Sequence, residues 1–382
     1  MARLGFQHYR LSIAWPRIFP DGTGTPNAKG LDFYRRLLAS MRDHGITPWV
    51  TMFHWDLPQA LEDAGGWRNR ATVDAFARYA DTITAAYSRE VTRWFTINEI
   101  PCFTRLAHTG AMDKAPGYPL AAQELNQCIH HALVAHGHGV RAAREHGRRG
   151  TIVGAAEVPD GFVPLTDSPE DVDAARRAFA DHNDQIVGAA LLGGYSPRLL
   201  RRLARCRPRV NRGDFDLIGL PTDFTGINVY TAHFVRAAAR GGYEVLPFPA
   251  NYPSAARTGW LKTVPQSIYW ATRYLTECYG PRSILITENG YGTDEQPAPT
   301  GEIIDLHRRE YLRMHLLELR RAIADGVPVD GYFAWSFMDN FEWADGYTVR
   351  FGLCYTDYAT QQRIPKLSAH WYSDVARTNR VV

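Results

Sequence analysis

Val91-Thr92-Arg93-Trp94-Phe95-Thr96-Ile97-Asn98-Glu99 and Ser283-Ile284-Leu285-Ile286-Thr287-Glu288-Asn289-Gly290 decide how this chain is read. Each is an apolar run of strand length carrying a glutamate where the run gives way to a loop. Such runs fit buried strands, whose last side chain emerges at the rim of a sheet. In a (β/α) barrel that rim is the functional face. Two carboxylates on equivalent strand ends, if they meet in space, are equipped for acid and nucleophile chemistry. Either glutamate taken alone also fits a strand-end carboxylate satisfied by an arginine; the matching contexts of the two favour the working pair.

Outward from these runs, strand-like and amphipathic helical stretches alternate along the whole chain, the pattern of a parallel α/β fold. The strands are Tyr9–Trp15, Thr47–Trp55, Val91–Glu99, Thr151–Val158, Phe224–Tyr230, Ser283–Glu288 and Asp330–Phe337. Helices follow them in turn around Ala28–His44, Val73–Ser88, Gln123–Glu145, Pro169–Leu192, Pro265–Tyr279, Asp305–Ala324 and Leu367–Ala376. Helix-to-strand returns are mostly short, whereas strand-to-helix loops are long and rich in Gly, Pro, Trp and Asp, which orients the functional face toward the strand C-termini. The exception is the return between Gly193 and Asp223, where a further helix is expected near Pro197–Cys206. With no internal repeat or linker, residues 1–382 read as one domain of (β/α)8 TIM-barrel type, incomplete at seven strand–helix units.

Bulk composition narrows the function classes. The 382 residues are 45% hydrophobic and 22% charged, the profile of an ordinary globule, and the net charge of +3 gives no argument for nucleic acid or an anionic membrane. Only Lys29, Lys114, Lys262 and Lys366 among the 43 basic residues are lysines, and the arginines are scattered. The five cysteines, Cys102, Cys128, Cys206, Cys278 and Cys354, are far apart and include no Cys-x-x-Cys pair, so neither a disulfide framework nor a thiolate metal site is suggested. No stretch reads as a signal peptide or a membrane span, and the expected location is cytoplasmic. His130, His131, His136 and His138 lie on one helix without an acidic residue at ligand spacing, so no metal site and no cofactor are expected.

Six blocks then acquire a joint meaning: Tyr9-Arg10-Leu-Ser-Ile-Ala-Trp15-Pro16-Arg17-Ile-Phe-Pro20, His54-Trp55-Asp56-Leu57-Pro58, Thr96-Ile-Asn98-Glu99, Asn228-Val229-Tyr230, Ile286-Thr-Glu288-Asn-Gly and Trp335-Ser-Phe-Met-Asp-Asn-Phe-Glu342-Trp343. In this order and at these wide spacings they resemble glycoside hydrolase family 1, the β-glucosidases and their relatives, from about residue 1 to about residue 375. The resemblance implies a retaining β-glycosidase with Glu99 as general acid/base and Glu288 as nucleophile. One carboxyl must protonate a poor leaving group while the other, about 5–5.5 Å away, attacks the anomeric carbon. The acid needs apolar surroundings and a neighbouring charge, and the nucleophile needs donors or cations. Arg10 is implied as the cation supporting Glu288, and Tyr230 as its hydroxyl donor.

The same resemblance implies a pyranose pocket. His54, Asn98 and Glu342 resemble the hydroxyl-binding groups, with Asn228 and Tyr230 beside them, and Trp335, Trp343 and Trp55 offer flat apolar faces to the sugar C–H surface. A carboxylate at Glu342 disfavours a 6-phosphorylated sugar, so the expected partner is an unphosphorylated small-molecule or oligosaccharide β-glycoside.

Three departures from the family pattern stand out. Its Asn-Glu-Pro is Asn98-Glu99-Ile100-Pro101 here; the aromatic just beyond is replaced by Cys102-Phe103; and a strand–helix unit usual before the Tyr-Arg block, with a sugar-binding glutamine, is absent from this sequence. The first two change the wall beside the acid/base. The third leaves the strands near Tyr9–Trp15 and Asp330–Phe337 without a shared neighbour, from which homo-oligomerisation through barrel edges is expected. The competing class is a weak or inactive sugar-binding pseudo-enzyme; a metal-dependent barrel hydrolase is the more distant alternative.

Overall fold

The protein is described by a computed structural model covering residues 1–110, 114–239 and 241–381. The chain forms two compact units, one of Gln7–Val158 with Asn183–Gly226 and the other of Met1–Phe6, Pro159–His182 and Ile227–Val382.

In the first unit β1 (His8–Ser12), β2 (Thr47–Phe53), β3 (Arg93–Asn98) and β4 (Ile152–Glu157) form a parallel ladder. Its register pairs Leu11 with Val50, Thr51 with Phe95 and Asn98 with Ala156. β5 (Phe224–Asn228) enters beside β4, where Asp223 N–H donates to the Val153 carbonyl at 2.9 Å. It leaves in the second unit, where Val229 N–H donates to the Glu288 carbonyl at 2.9 Å. There β6 (Ile284–Glu288) and β7 (Val329–Tyr332) pair in parallel. Strand order therefore follows chain order, β1-β2-β3-β4-β5-β6-β7.

Each strand is followed by a helix: α1 (Ala28–Asp43), α2 (Arg70–Tyr87), α3 (Ala122–His146), α4 (Pro169–Asn183), α5 (Gln266–Tyr279), α6 (Leu306–Ala324) and α7 (Leu367–Thr378). This is the α/β, (β/α)-barrel type of fold with the seven strand–helix units read from the sequence. The caps are local chemistry: Asn27 and Asn69 accept the Lys29 and Ala71 amides at 3.2 and 3.0 Å. α2 buries Val73, Phe76, Tyr79, Ala80, Ile83, Thr84 and Tyr87, the 3–4 spacing that gives a helix one apolar face. The long helix expected over Pro169–Leu192 is interrupted by a π turn at Asp184–Gly188, where Ser196 holds the Asp184 carboxylate at 2.5 Å. The expected helix in the long return is present at Pro197–Leu203.

Both cores are aromatic. In the first unit Trp15 stacks on Tyr79 at 5.1 Å between ring centres, and Trp49, Phe95 and Phe224 pack within 5.8 Å of one another. β3 shows why the strand reads as apolar throughout: Trp94, Phe95, Thr96, Ile97 and Asn98 are all buried, as expected of a parallel strand covered on both faces. In the second unit Tyr230, Leu261, Tyr311, Leu312, Val349, Phe351 and Leu353 form the buried cluster. Among the described residues no helix is long and apolar enough to cross a membrane.

Each core also holds a neutral histidine. His136 Nδ1 lies 2.6 Å from Thr96 Oγ1 and His315 Nδ1 2.8 Å from the Tyr311 carbonyl, and burial pushes both imidazoles down to about 4. Such a ring takes up its proton readily only after unfolding. The stability it confers is complete above about pH 6.5 and is lost as pH falls toward about 4, on the order of 1–3 kcal/mol per ring. Urea denaturation midpoints should therefore decline from about pH 7 to about pH 5; a flat profile would contradict this account.

Candidate active site

The first unit holds Arg10 in the middle of β1 and gathers His54, Trp55, Asn98 and Glu99 at or just beyond the C-terminal ends of β2 and β3. Asn98 is fully buried and links two of them: Arg10 donates to its Oδ1 at 2.5 Å, which turns the Asn98 amide nitrogen toward His54 Nε2 at 3.3 Å. With Nε2 accepting, the neutral ring carries its proton on Nδ1. Burial, then the positive charges of Arg10 and Lys114, push His54 well below its ordinary range, so the neutral form is the working one. Arg10 also lies over the Phe95 ring at 5.1 Å.

Trp55 Nε1–H donates to the Asn98 carbonyl at 3.0 Å, and Lys114 Nζ sits 5.1 Å from the Trp55 ring centre. The indole is thus both fixed by a hydrogen bond and engaged in a cation–π contact.

Glu99 is 6% exposed, and its backbone is left-handed at φ 50°. Trp55 and Trp343, at φ 79° and 45°, share that region, so three of the six non-glycine positive-φ residues among those described are candidate site residues. Such conformations persist only where surroundings over-determine them. For Glu99 the clamps are its N–H to the Ala156 carbonyl at 2.8 Å, its carbonyl from the Cys102 N–H at 2.9 Å, and its Oε2 from the Cys102 thiol at 3.0 Å.

The second unit gathers Asn228, Tyr230, Glu288, Trp335, Glu342 and Trp343. Glu288 ends β6, is 4% exposed, and accepts the Tyr230 hydroxyl on Oε2 at 2.8 Å. Tyr230 is held in turn through its carbonyl by the Tyr311 hydroxyl at 2.6 Å. Asn228 Oδ1 accepts the Thr287 hydroxyl at 2.5 Å. Asn289 bridges the same region, donating to the Val229 carbonyl at 2.6 Å and accepting the Tyr332 hydroxyl at 2.7 Å. Its own carbonyl takes the Trp335 N–H at 2.9 Å. Gly290 makes that approach possible, since a Cβ there would overlap the Trp335 carbonyl oxygen.

The segment from Trp335 to Trp343 is anchored by a buried charge network. Asp339 accepts Lys366 Nζ at 2.9 Å, Arg350 at 2.7 Å and the Gly352 N–H at 2.9 Å. Lys366 also meets Glu295 at 2.6 Å, and fully buried Arg308 joins Glu295 and Asp305. Glu342 and Trp343 are partly buried, the Glu342 N–H donating to the Gly346 carbonyl at 2.7 Å.

The helix histidines serve packing. His130 lies between Asp214 at 2.9 Å and the Tyr195 hydroxyl at 3.0 Å, and His131 bonds the Trp67 carbonyl at 2.8 Å. Sequence reasoning passed over Asn289 and Asp339 as supports, and passed over Glu157, a 4% exposed carboxylate ending β4. The signal for Glu157 was present: it too is a glutamate closing a strand-like run before a loop.

Strand order and the barrel-type alternation define a (β/α)-barrel type of protein with two glutamates at strand C-termini, and comparison with known proteins gives its class. Residues 1–381 match the family model for glycosyl hydrolase family 1. β-Glucosidase A of Thermotoga maritima is 38% identical over 378 residues, covering 99% of this chain and 84% of that protein. The β-glucosidase of Agrobacterium sp. is 39% identical over 386 residues, covering 98% and 81%. The solved structure of the Thermotoga maritima β-glucosidase in complex with castanospermine superposes with a TM-score of 0.89 at 36% identity, over 100% of this chain and 85% of that one. The chain belongs to glycosyl hydrolase family 1 and is a glycoside hydrolase.

The charge network supplies a test of loop anchoring. Asp339→Ala leaves Arg350 without its carboxylate and Lys366 with Glu295 alone, and should cost roughly 3–5 kcal/mol, seen as a lowered Tm together with weaker glycosidase activity. Asp345→Asn, at an exposed position of the same loop, should stay within about 0.5 kcal/mol. Equal effects of the two would remove the anchoring role.

Proposed function

We propose that the protein is a retaining β-glycosidase of the β-glucosidase type, releasing terminal non-reducing β-D-glycosyl residues from unphosphorylated glycosides. The carrying observation is that both family carboxylates, Glu99 and Glu288, close parallel strands, are buried, and each accept a nearby donor, Cys102 and Tyr230 respectively. Glu288 attacks the anomeric carbon while Glu99 gives its proton to the departing glycosidic oxygen, forming a covalent glycosyl-enzyme. Water then attacks that carbon, Glu99 takes the water proton, and the Glu288–sugar bond breaks. Both transition states are oxocarbenium-like.

His54, Asn98, Asn228, Tyr230 and Glu342 recognise the sugar hydroxyls in this reading, Trp55, Trp335 and Trp343 its apolar face, and Arg10 supports the nucleophile. The neutrality of His54 suits it to hydroxyl recognition, because its ring then accepts from Asn98 on Nε2 and carries on Nδ1 a donor for a hydroxyl. A carboxylate at Glu342 repels a sugar phosphate, which favours unphosphorylated substrates. The family match over residues 1–381 supports one catalytic domain. Five free cysteines suit a reducing, cytoplasmic setting. Homo-oligomerisation belongs to the same proposal, since a strand order ending at β1 and β7 among the described residues offers ends to a second copy.

Glu288→Ala should lower kcat on an aryl β-glucoside by at least about 10⁴-fold, the scale on which lost nucleophiles act. A 2-deoxy-2-fluoro β-glucoside should label Glu288 covalently, as read by peptide mass spectrometry. Glu99→Ala should cost about 10²–10⁴-fold with poor leaving groups and less with activated ones. Unchanged turnover in Glu288→Ala would overturn the mechanism, and absent labelling would leave a sugar-binding protein.

A further inference from the structure

β3 and β4 both end on a carboxylate. Asn98 and Ala156 are register partners in the parallel ladder, so the next residues, Glu99 and Glu157, leave neighbouring strands at one level. Both are buried, at 6% and 4% exposure. A single turn ties them: the Glu99 N–H donates to the Ala156 carbonyl at 2.8 Å, and the following amide, Ile100 N–H, donates to Glu157 Oε2 at 3.0 Å. A proline at position 100 would have no N–H to give. The Cys102 thiol, on the same turn, donates to Glu99 Oε2 at 3.0 Å.

Among the described residues, the charged groups that act on Glu157 are Glu99 and Arg105. Glu99 follows directly on β3, the Cys102 thiol bonds it, and Arg105 acts from the segment that follows, donating to Gln185 Oε1 at 3.1 Å. Two buried carboxylates at the ends of adjacent strands, each within reach of the other's charge, resist ionising together. Burial first, and then the Glu99 charge, push Glu157 well above the usual carboxylate range, against the Ile100 amide and Arg105.

We propose that Glu157 is a positioning and proton-exchanging partner of Glu99, the pair retaining one proton that passes between the two carboxyls, so that Glu99 can give it to the leaving group. This rests on Glu99 being the acid/base. The pair titrates as a unit, and its two steps belong to both groups. In the first half-reaction the shared proton goes to the glycosidic oxygen and leaves both groups ionised. Repulsion from Glu157 then makes Glu99 a stronger base toward the water that releases the sugar, and the proton taken from that water restores the pair.

The test is the pH profile of kcat/KM on an aryl β-glucoside with a poor leaving group. Glu157→Gln keeps an oxygen for the Ile100 amide but removes the carboxyl that exchanges the proton. Its alkaline limb should fall by about one pH unit, a loss of about tenfold above the limb with little change at more acid pH. Glu157→Asp should recover most of that limb. A limb that does not move, or a loss equal at every pH, overturns the proposal. Should neither variant fold, infrared titration of the wild-type carboxyls decides, with two well-separated steps expected and ionisation of both groups at ordinary values overturning it. If Glu99→Gln keeps wild-type turnover, the acid/base reading fails; if Glu99→Gln is impaired while the Glu157→Gln limb is unmoved, only the role of Glu157 fails.

Discussion

Burial of ionised groups without enough water to solvate them is the constraint on which both groups of site residues depend. A desolvated carboxylate persists only where donors or counter-charges replace its hydration shell, and a parallel barrel supplies such donors chiefly where its ladder ends. Glu288 has the Tyr230 hydroxyl; Glu99 has the Cys102 thiol; Asp339 has Lys366, Arg350 and a backbone amide. Each replacement also orients its carboxylate, so the interactions that make burial tolerable are the ones that give the groups direction.

The same economy runs through the neutral groups. Arg10 settles the orientation of the Asn98 amide, Asn98 settles the tautomer of His54, and the Asn98 carbonyl fixes the Trp55 indole. One buried asparagine thus sets two side chains, His54 and Trp55, that resemble sugar-binding residues. Asn289 does comparable work between β5, β6 and the Trp335 segment. Support of this kind makes a recognition surface selective, because a rigid donor or acceptor penalises a hydroxyl in the wrong place.

The family and its two carboxylates were legible because hydrophobic run length and residue identity at strand ends are local properties. Strand–helix alternation survived for the same reason: Trp94 to Ile97 and Ile284 to Thr287 are apolar or small in sequence because they are buried in parallel ladders. Asn289 and Asp339 escaped notice because their partners lie far along the chain, Asp339 taking a lysine 27 residues away. The π turn at Asp184–Gly188 was hidden because a helical pattern does not distinguish a thirteen-atom hydrogen-bonded ring from a wider one.

By itself, then, the amino-acid sequence determined the class of fold, the family, and which residues are candidates for the chemistry. Tertiary structure decided how those residues are charged and aimed. Ile100 and Cys102 read as departures from a motif in one dimension; in three they carry the amide and the thiol that hold Glu157 and Glu99. The physical reason is that register across a parallel ladder, and not chain separation, brings Glu99 and Glu157 to one level from strands whose paired residues are 58 apart, Asn98 and Ala156. Proton affinity in a buried site depends on that neighbourhood, which no stretch of sequence contains.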